Sequence, residues 1–592
     1  MGRPNPLVLA GVVAALAAAG VHAQVPPGAT PGGALPRVES AVEPAEPAGE
    51  LLRGEPFEIP RVYDRPLGLD EGPRLHVEAF RLEGAMDRPE RGIRVAEIEA
   101  LLEAERQAGP QQGFAINQLQ EVAGKVAAWY RERGYILAQA FVPEQTVVDG
   151  VVVVQVLEGR LAGIRAEGNE RYGARVLERP FAGLIGAPIH KDEIESALLT
   201  LTNYPGITAF GVLGAGREVG TSELTLRVQA EDRFGVQAVL DNYGSPFAGE
   251  YRGQVTFTYN NPLGRADRLQ LIGLYALDSA DRHNRGAYWG VDYEIPLFSP
   301  RDSLRFAHLT NAYVIGANAA SVLGTQTEGE TRVDEIGYRH DFARTRLGTA
   351  SLGAAFSIKR AEFAAPPAVI YEDKLATARL DGEWERIDTR FRGVNRVQFA
   401  YTHGFKDLAG SLGDYDPASA MASRLGASGK FDKVTLELRR LQRLTRNTSL
   451  LLRLEGQYSD DPLVSLEQFS LGGPTSVRAY AASEVLAESG GIVSAELMFP
   501  VPGLAGRPAF GGLTWGQLLQ LSVFADYAYG ELNPPLLPLQ DASVELSGAG
   551  AAVQLSVPGR VFARLDVATP LGDEPPGNGR DPQVYFRFGA GF

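Results

Sequence analysis

Across 592 residues the chain carries a formal net charge of -15 and no cysteine. The acidic balance argues against nucleic acid as a partner, and the missing thiols leave burial and sheet hydrogen bonds to hold the fold without disulfides. A hydrophobic share of 44% is modest, as expected where water-facing residues of a barrel dilute lipid-facing ones.

The amino terminus carries Arg3, an apolar run from Leu7 to Ala19, and Val21-His22-Ala23 before Gln24. That is the charge, core and small-residue order of a secretory signal, residues 1–23, with cleavage expected after Ala23. No later stretch approaches the roughly 18 consecutive apolar residues of a membrane helix, so membrane crossing must fall to strands. Residues 24–72 hold Pro26, Pro27, Pro31, Pro36, Pro44 and Pro47 among Ala, Gly and Glu. They read as a linker, with a short plug helix near Glu50-Leu51-Leu52-Arg53 and a solvating acidic run from Glu39 to Glu50.

An internal repeat follows. Phe80-Arg81-Leu82-Glu83-Gly84 returns as Ile164-Arg165-Ala166-Glu167-Gly168, each time a short strand closed by glycine and followed by helical pattern, so two similar modules stand in tandem over 73–160 and 161–231. In the first, Leu119, Val122, Ala123, Val126, Trp129 and Tyr130 make one helical stripe, read as module core, and Gly134 stops it. Strands are expected over Tyr135 to Val142 and Val151 to Leu157, joined through Asp149-Gly150. In the second, Ile194, Ala197, Leu198 and Leu201 stripe a helix, and strands are expected near Thr208 to Leu213 and Leu224 to Val228.

From 232 to 592 the texture changes to alternating segments between turn residues. In Tyr251 to Tyr259 the apolar odd positions oppose Arg252, Gln254, Thr256 and Thr258, and Val561, Ala563, Leu565 and Val567 oppose Arg564 and Asp566. At the end, Val584, Phe586, Phe588, Ala590 and Phe592 share one face while Gln583, Tyr585 and Arg587 share the other. The length suits about 16 antiparallel strands and an even count. The fold class read from the sequence is therefore a membrane β-barrel preceded by two small α+β modules.

These pieces together resemble the transporter partner of bacterial two-partner secretion, the haemolysin secretion/activation family. Arg133-Gly134-Tyr135, the stretch Val142-Pro143-Glu144-Gln145 to Asp149-Gly150, and Glu158-Gly159 look like the family's first polypeptide-transport-associated (POTRA) domain, and Pro205-Gly206 like its second. Asp241-Asn242-Tyr243-Gly244 and Asn261-Pro262-Leu263-Gly264 are similar to its first barrel hairpin. Leu471-Gly472-Gly473 to Val477-Arg478-Ala479-Tyr480 resembles the tip of a loop, about 459–490, that folds back into the lumen, with Ala479 where glycine is usual. An arginine deep in a barrel needs a carboxylate. Phe524 and Asp526 point inward from a strand whose outer face is Val523, Ala525 and Tyr527, and Glu496 points inward between Ala495 and Leu497. The resemblance thus implies a latch of Val477, Arg478, Ala479 and Tyr480 on barrel-wall acceptors Asp526, Glu496 and Phe524.

What the resemblance implies is an outer-membrane pore that takes an unfolded exoprotein from the periplasm through its POTRA domains and passes it outward without ATP. Thr208, Phe210 and Val212, on a strand edge beside the helix over 192–203, are the candidate exoprotein-binding positions, since an edge can add a partner strand through its backbone. The expected partners are a secreted exoprotein and outer-membrane lipid, with the chain a monomer. One alternative is an assembly factor for other barrels. Another is a barrel enzyme such as a lipase, which would need a serine nucleophile and a histidine base. No Gly-x-Ser-x-Gly elbow appears, and Gly214-Ala215-Gly216 to Gly220 reads as a turn and not a phosphate loop. His76, His190, His283, His308, His340 and His403 show no metal-ligand spacing and read as surface or lumen residues, so no cofactor or metal is expected.

Overall fold

Period-two alternation in the carboxy-terminal region produces ribbons that are apolar on one side only, and such ribbons bury every backbone group in lipid only when the sheet closes on itself. A computed structural model, which describes residues 25–36, 57–58, 74–278, 283–316, 325–415, 422–536 and 540–592, shows that closure. Sixteen antiparallel strands form one barrel, the even count expected from the length. The first strand, Phe234–Asp241, pairs with the last, Gln583–Gly591, and seals the seam. Strand Leu519–Glu531 displays the alternation cleanly: Ser522, Phe524, Asp526 and Ala528 are buried, whereas Val523, Tyr527 and Tyr529 are exposed on the lipid side. In the closing strand Val584 and Phe588 face outward while Tyr585 is buried in the lumen.

Two α+β modules precede the barrel, built on one plan. In each, the repeat strand runs parallel to the last strand of the module: Ala79–Glu83 beside Val151–Leu157, and Arg160–Glu167 beside Thr221–Glu231. Gly84 and Gly168, which end the two repeat strands, sit at φ +80° and +79°, a left-handed turn that glycine takes without steric cost. The apolar stripe of helix Ile116–Glu132 packs on the first sheet, with Tyr130 fully buried. Helix Lys191–Thr202 packs on the second through Ile194, Leu198 and Leu201.

Three features depart from the sequence reading. The strand expected over Tyr135 to Val142 is confined to Gln139–Phe141, because Ile136 and Ala138 donate back to Gly134 and Tyr135 in a turn. His190 is neither a surface nor a lumen residue. It is buried where the modules meet, its Nε2 3.1 Å from the Arg133 carbonyl, while its Nδ1 accepts from the Asp192 amide at the start of the helix. The linker is not solvated throughout: residues 25–36, with a 3-10 turn over Pro27–Ala29, lie buried inside the barrel. The signal segment, the run Glu39 to Glu50 and the short helix expected near Glu50 lie outside the described residues.

Candidate functional site

Strands Val561–Pro570, Leu519–Glu531 and Ser489–Pro500 lie on one side of the lumen, and each turns a carboxylate inward: Asp566, Asp526 and Glu496. Between strands Ser449–Tyr458 and Ser489–Pro500 the chain folds into the barrel, where a small hairpin of Phe469–Leu471 and Val485–Ala487 supports its tip. Arg478 projects from that tip. Its Nε and Nη2 donate to the two oxygens of Asp526, each at 2.8 Å, its backbone amide donates to Asp526 at 3.1 Å, and Nη1 donates to Glu496 at 2.7 Å. The guanidinium lies 3.3 Å from the centre of the Phe524 ring, an arrangement in which charge, planar donors and π-face are all satisfied.

The cluster extends beyond the residues read from the sequence. Arg564 donates to Glu496 at 2.9 Å and to Asp566 at 2.7 Å, and Asp566 also stands 3.5 Å from Arg478. Ser494 and Ser522 donate to Asp526 and Glu496 at 2.7 and 2.6 Å. Two cations thus share three anions in a largely buried site, and each carboxylate keeps a second donor when the loop moves. The inward positions of Arg564 and Asp566 were legible from alternation; their meeting with the loop was not.

The tip is seated by packing as well as charge. Val477, Ala479 and Tyr480 are fully buried. Tyr585 of the closing strand donates to the Tyr480 carbonyl at 2.6 Å, and the Tyr480 hydroxyl donates to the Glu574 carbonyl at 2.9 Å. Where glycine is usual, Ala479 is accommodated by the opposing wall. A methyl built on Gly548 would lie 2.5 Å from the Ala479 methyl, so the bare Gly548 leaves the room that the Ala479 methyl takes.

A second charged contact fixes the same loop to strands Gly348–Ala365 and Phe431–Arg443. Glu467 accepts from Lys359 and from Lys433, both at 2.6 Å, and is almost fully buried. The loop is therefore held with a cation docked on anions of one group of strands and an anion docked on cations of another. Deeper toward its base, Glu488 accepts from Arg424 at 2.9 Å.

Residues 25–36 complete the filling. Wall and loop side chains hold this segment through its backbone carbonyls: Ser245 to Gly28 at 2.5 Å, Tyr313 to Ala29 at 2.6 Å, Asn311 to Ala34 at 3.3 Å and Ser483 of the loop to Gly33 at 2.9 Å. Its apolar neighbours include Phe363 and Tyr371.

Outside the barrel, Thr208, Phe210 and Val212 lie on strand Ile207–Ala215. Their side chains point away from the helix Lys191–Thr202, which packs instead on Ile207, Ala209 and Leu213. The edge of this strand is already occupied: Phe57–Glu58 pairs with it in parallel at Gly211 and Val212.

A family profile described as haemolysin secretion/activation protein ShlB/FhaC/HecB matches residues 220–532, and one for the ShlB-type POTRA domain matches residues 89–159. The chain belongs to this haemolysin secretion/activation family. It is similar to the heme/hemopexin transporter protein HuxB of Haemophilus influenzae, 24% identical over 475 residues, covering 77% of this chain and 78% of the relative. The hemolysin transporter protein ShlB of Serratia marcescens is 25% identical over 389 residues, 64% of this chain and 66% of the relative. Among solved structures, CdiB from Escherichia coli aligns with a TM-score of 0.67 at 22% identity, covering 92% of this chain and 95% of that one. BamA from Haemophilus ducreyi aligns at 0.51 and 16% identity over 87% of this chain, a likeness of fold alone. This haemolysin secretion/activation protein is an outer-membrane pore of two-partner secretion with POTRA domains in the periplasm, and its family is one of transporters.

Proposed function

We propose that secretion through this barrel proceeds by exchange of docked internal segments for the exoprotein. The inward loop acts as the latch, with Arg478 and its acceptors Asp526, Glu496 and Phe524 as its ionic contact. The observation that carries this reading is the divided charge of the loop. Arg478 and Glu467 dock on different groups of wall strands; the acceptors of Arg478 keep other donors, whereas Lys359 and Lys433 are both held through Glu467. Coulomb attraction in such a site is largely offset by the cost of taking the charges out of water, so the contact fixes a geometry without an irreversible hold.

Recognition begins at the second module. Strand Ile207–Ala215, with Thr208, Phe210 and Val212 on its outer face, offers backbone groups at an edge that the linker strand Phe57–Glu58 occupies. An exoprotein segment that adds to this edge displaces two paired residues, a small cost against the longer ladder it forms. The same displacement frees the linker and, through it, residues 25–36 in the lumen. The chain works as a monomer in outer-membrane lipid and makes or breaks no covalent bond in its cargo. Replacing Arg478 with alanine abolishes secretion while the folded barrel still reaches the outer membrane; secretion retained at a normal barrel level would refute the latch.

A further inference from the structure

One outer connection of the barrel is acidic, whereas most of its periplasmic turns are basic. At the outer end, the connection over 571–582 holds Asp573, Glu574 and Asp581 against Arg580, and that arginine is bound to Glu250 of another outer loop. At the periplasmic end the turns 297–301, 346–347, 389–392, 444–448, 501–518 and 558–560 contain arginine and no acid. The turn over 261–267 has one acid, Asp267, fully buried and bound by the Tyr293 hydroxyl.

This basic rim divides in two. Ala266 packs into the core of the second POTRA module, Arg301 donates to Ser196 on its helix, Arg346 stands 3.9 Å from Glu195 of the same helix, and the Leu297 carbonyl accepts from the module's Arg179. These turns face protein. The remaining four do not: Arg390, Arg392, Arg446, Arg507 and Arg560 are all exposed, and none forms an ion pair among the described residues. Beside them stand Phe391, Leu444 and Phe510, each at least half exposed, with the Arg390 guanidinium 5.1 Å from the Phe391 ring centre. An exposed apolar side chain beside an arginine is the pairing that a membrane interface accommodates, with the ring or alkyl group among acyl chains and the guanidinium at headgroup height.

We infer that the uncovered half of the periplasmic rim is a binding surface for anionic phospholipid, with Arg390, Arg392, Arg446, Arg507 and Arg560 taking the phosphodiesters of the inner leaflet. The inference rests on the outer-membrane placement of the barrel. Guanidinium forks suit phosphate oxygens, and attraction to an anionic surface grows with each cation that reaches it. The collar holds the barrel at one height and leans it away from the half covered by the POTRA module.

Two tryptophans make the surface measurable. Trp384 lies exposed on the lipid side just before the turn 389–392, and Trp515 lies in the turn 501–518. Full-length protein in vesicles containing brominated phosphatidylglycerol is expected to lose more fluorescence than with brominated phosphatidylcholine. In Arg390→Gln/Arg392→Gln and in Arg446→Gln the preference for the anionic lipid should fall about five-fold per arginine removed, while Arg390→Lys/Arg392→Lys retains most of it. Millimolar inorganic phosphate should leave quenching unchanged. Equal quenching by both lipids in the unaltered protein, an unchanged preference in the glutamine variants, or competition by free phosphate would overturn the inference. Heat-modifiable electrophoretic mobility reports whether each variant is a folded barrel. Quenching by neither lipid would overturn the membrane placement along with it.

Discussion

The docking of the loop tip makes a quantitative prediction at a pair of small residues. A Cβ added at Gly548 would lie 2.5 Å from the Ala479 methyl and 3.6 Å from the Ala479 amide nitrogen, so Gly548→Ala cannot be accommodated without moving the tip. Overpacking of this kind costs about 1–3 kcal/mol, and the charged contacts of Arg478 to a rigid wall resist the shift. At about 1.4 kcal/mol per factor of ten, the undocked fraction of the loop should rise between about five-fold and about a hundred-fold. Single-channel recording of the purified protein in planar bilayers measures that fraction as time spent in the higher-conductance state. Ala479→Gly removes the methyl that is struck, so the double variant Gly548→Ala/Ala479→Gly should return most of the way to the original open fraction. The two changes touch one another, so a coupling of about 1–2 kcal/mol is expected. Additive effects with no recovery would mean that the tip does not sit on the strand at Gly548.

Two further predictions address the other segments. Glu467→Gln leaves Lys359 and Lys433 facing a neutral group in a closed site; the loss is about 3 kcal/mol, the lower end for a broken buried pair because the amide oxygen still accepts, and it should raise bilayer conductance without loss of heat-modifiable barrel. Phe57→Pro/Glu58→Pro prevents the linker from pairing with strand Ile207–Ala215, and should strengthen binding of an amino-terminal exoprotein fragment to the full chain by several-fold in a surface-capture titration. Unchanged binding would remove the strand edge over Thr208 to Val212 from the recognition surface.

Much of this architecture is written in side-chain order. The strand around Asp526 alternates so regularly that its inward face follows from position alone, and the same pattern placed Tyr585 and Glu496 on the wet side. Charge pairing across the lumen is harder to read. Glu467 and Lys359 are far apart in the chain, and nothing in either local pattern distinguishes a buried lysine partner from a solvated lumen residue. The segment 25–36 was least legible, because Pro, Gly and Ala are the composition of a linker, and its burial depends on backbone carbonyls that accept from Ser245, Tyr313 and Asn311. The shortened strand Gln139–Phe141 reflects a local turn that outcompetes an apolar, strand-like run.

The proposal that docked segments must leave the lumen for secretion is tested most directly by tethering one of them. In a chain without cysteine, Gly28→Cys/Ser245→Cys introduces one pair of thiols, and a Cβ built on Gly28 lies 2.9 Å from the Ser245 oxygen, a reach that a disulfide spans. The oxidised variant should hold residues 25–36 in the barrel and stop exoprotein release, and a membrane-impermeant reductant should restore it in the same cells. Secretion at the unaltered rate with the cross-link verified as complete would contradict passage through the vacated lumen.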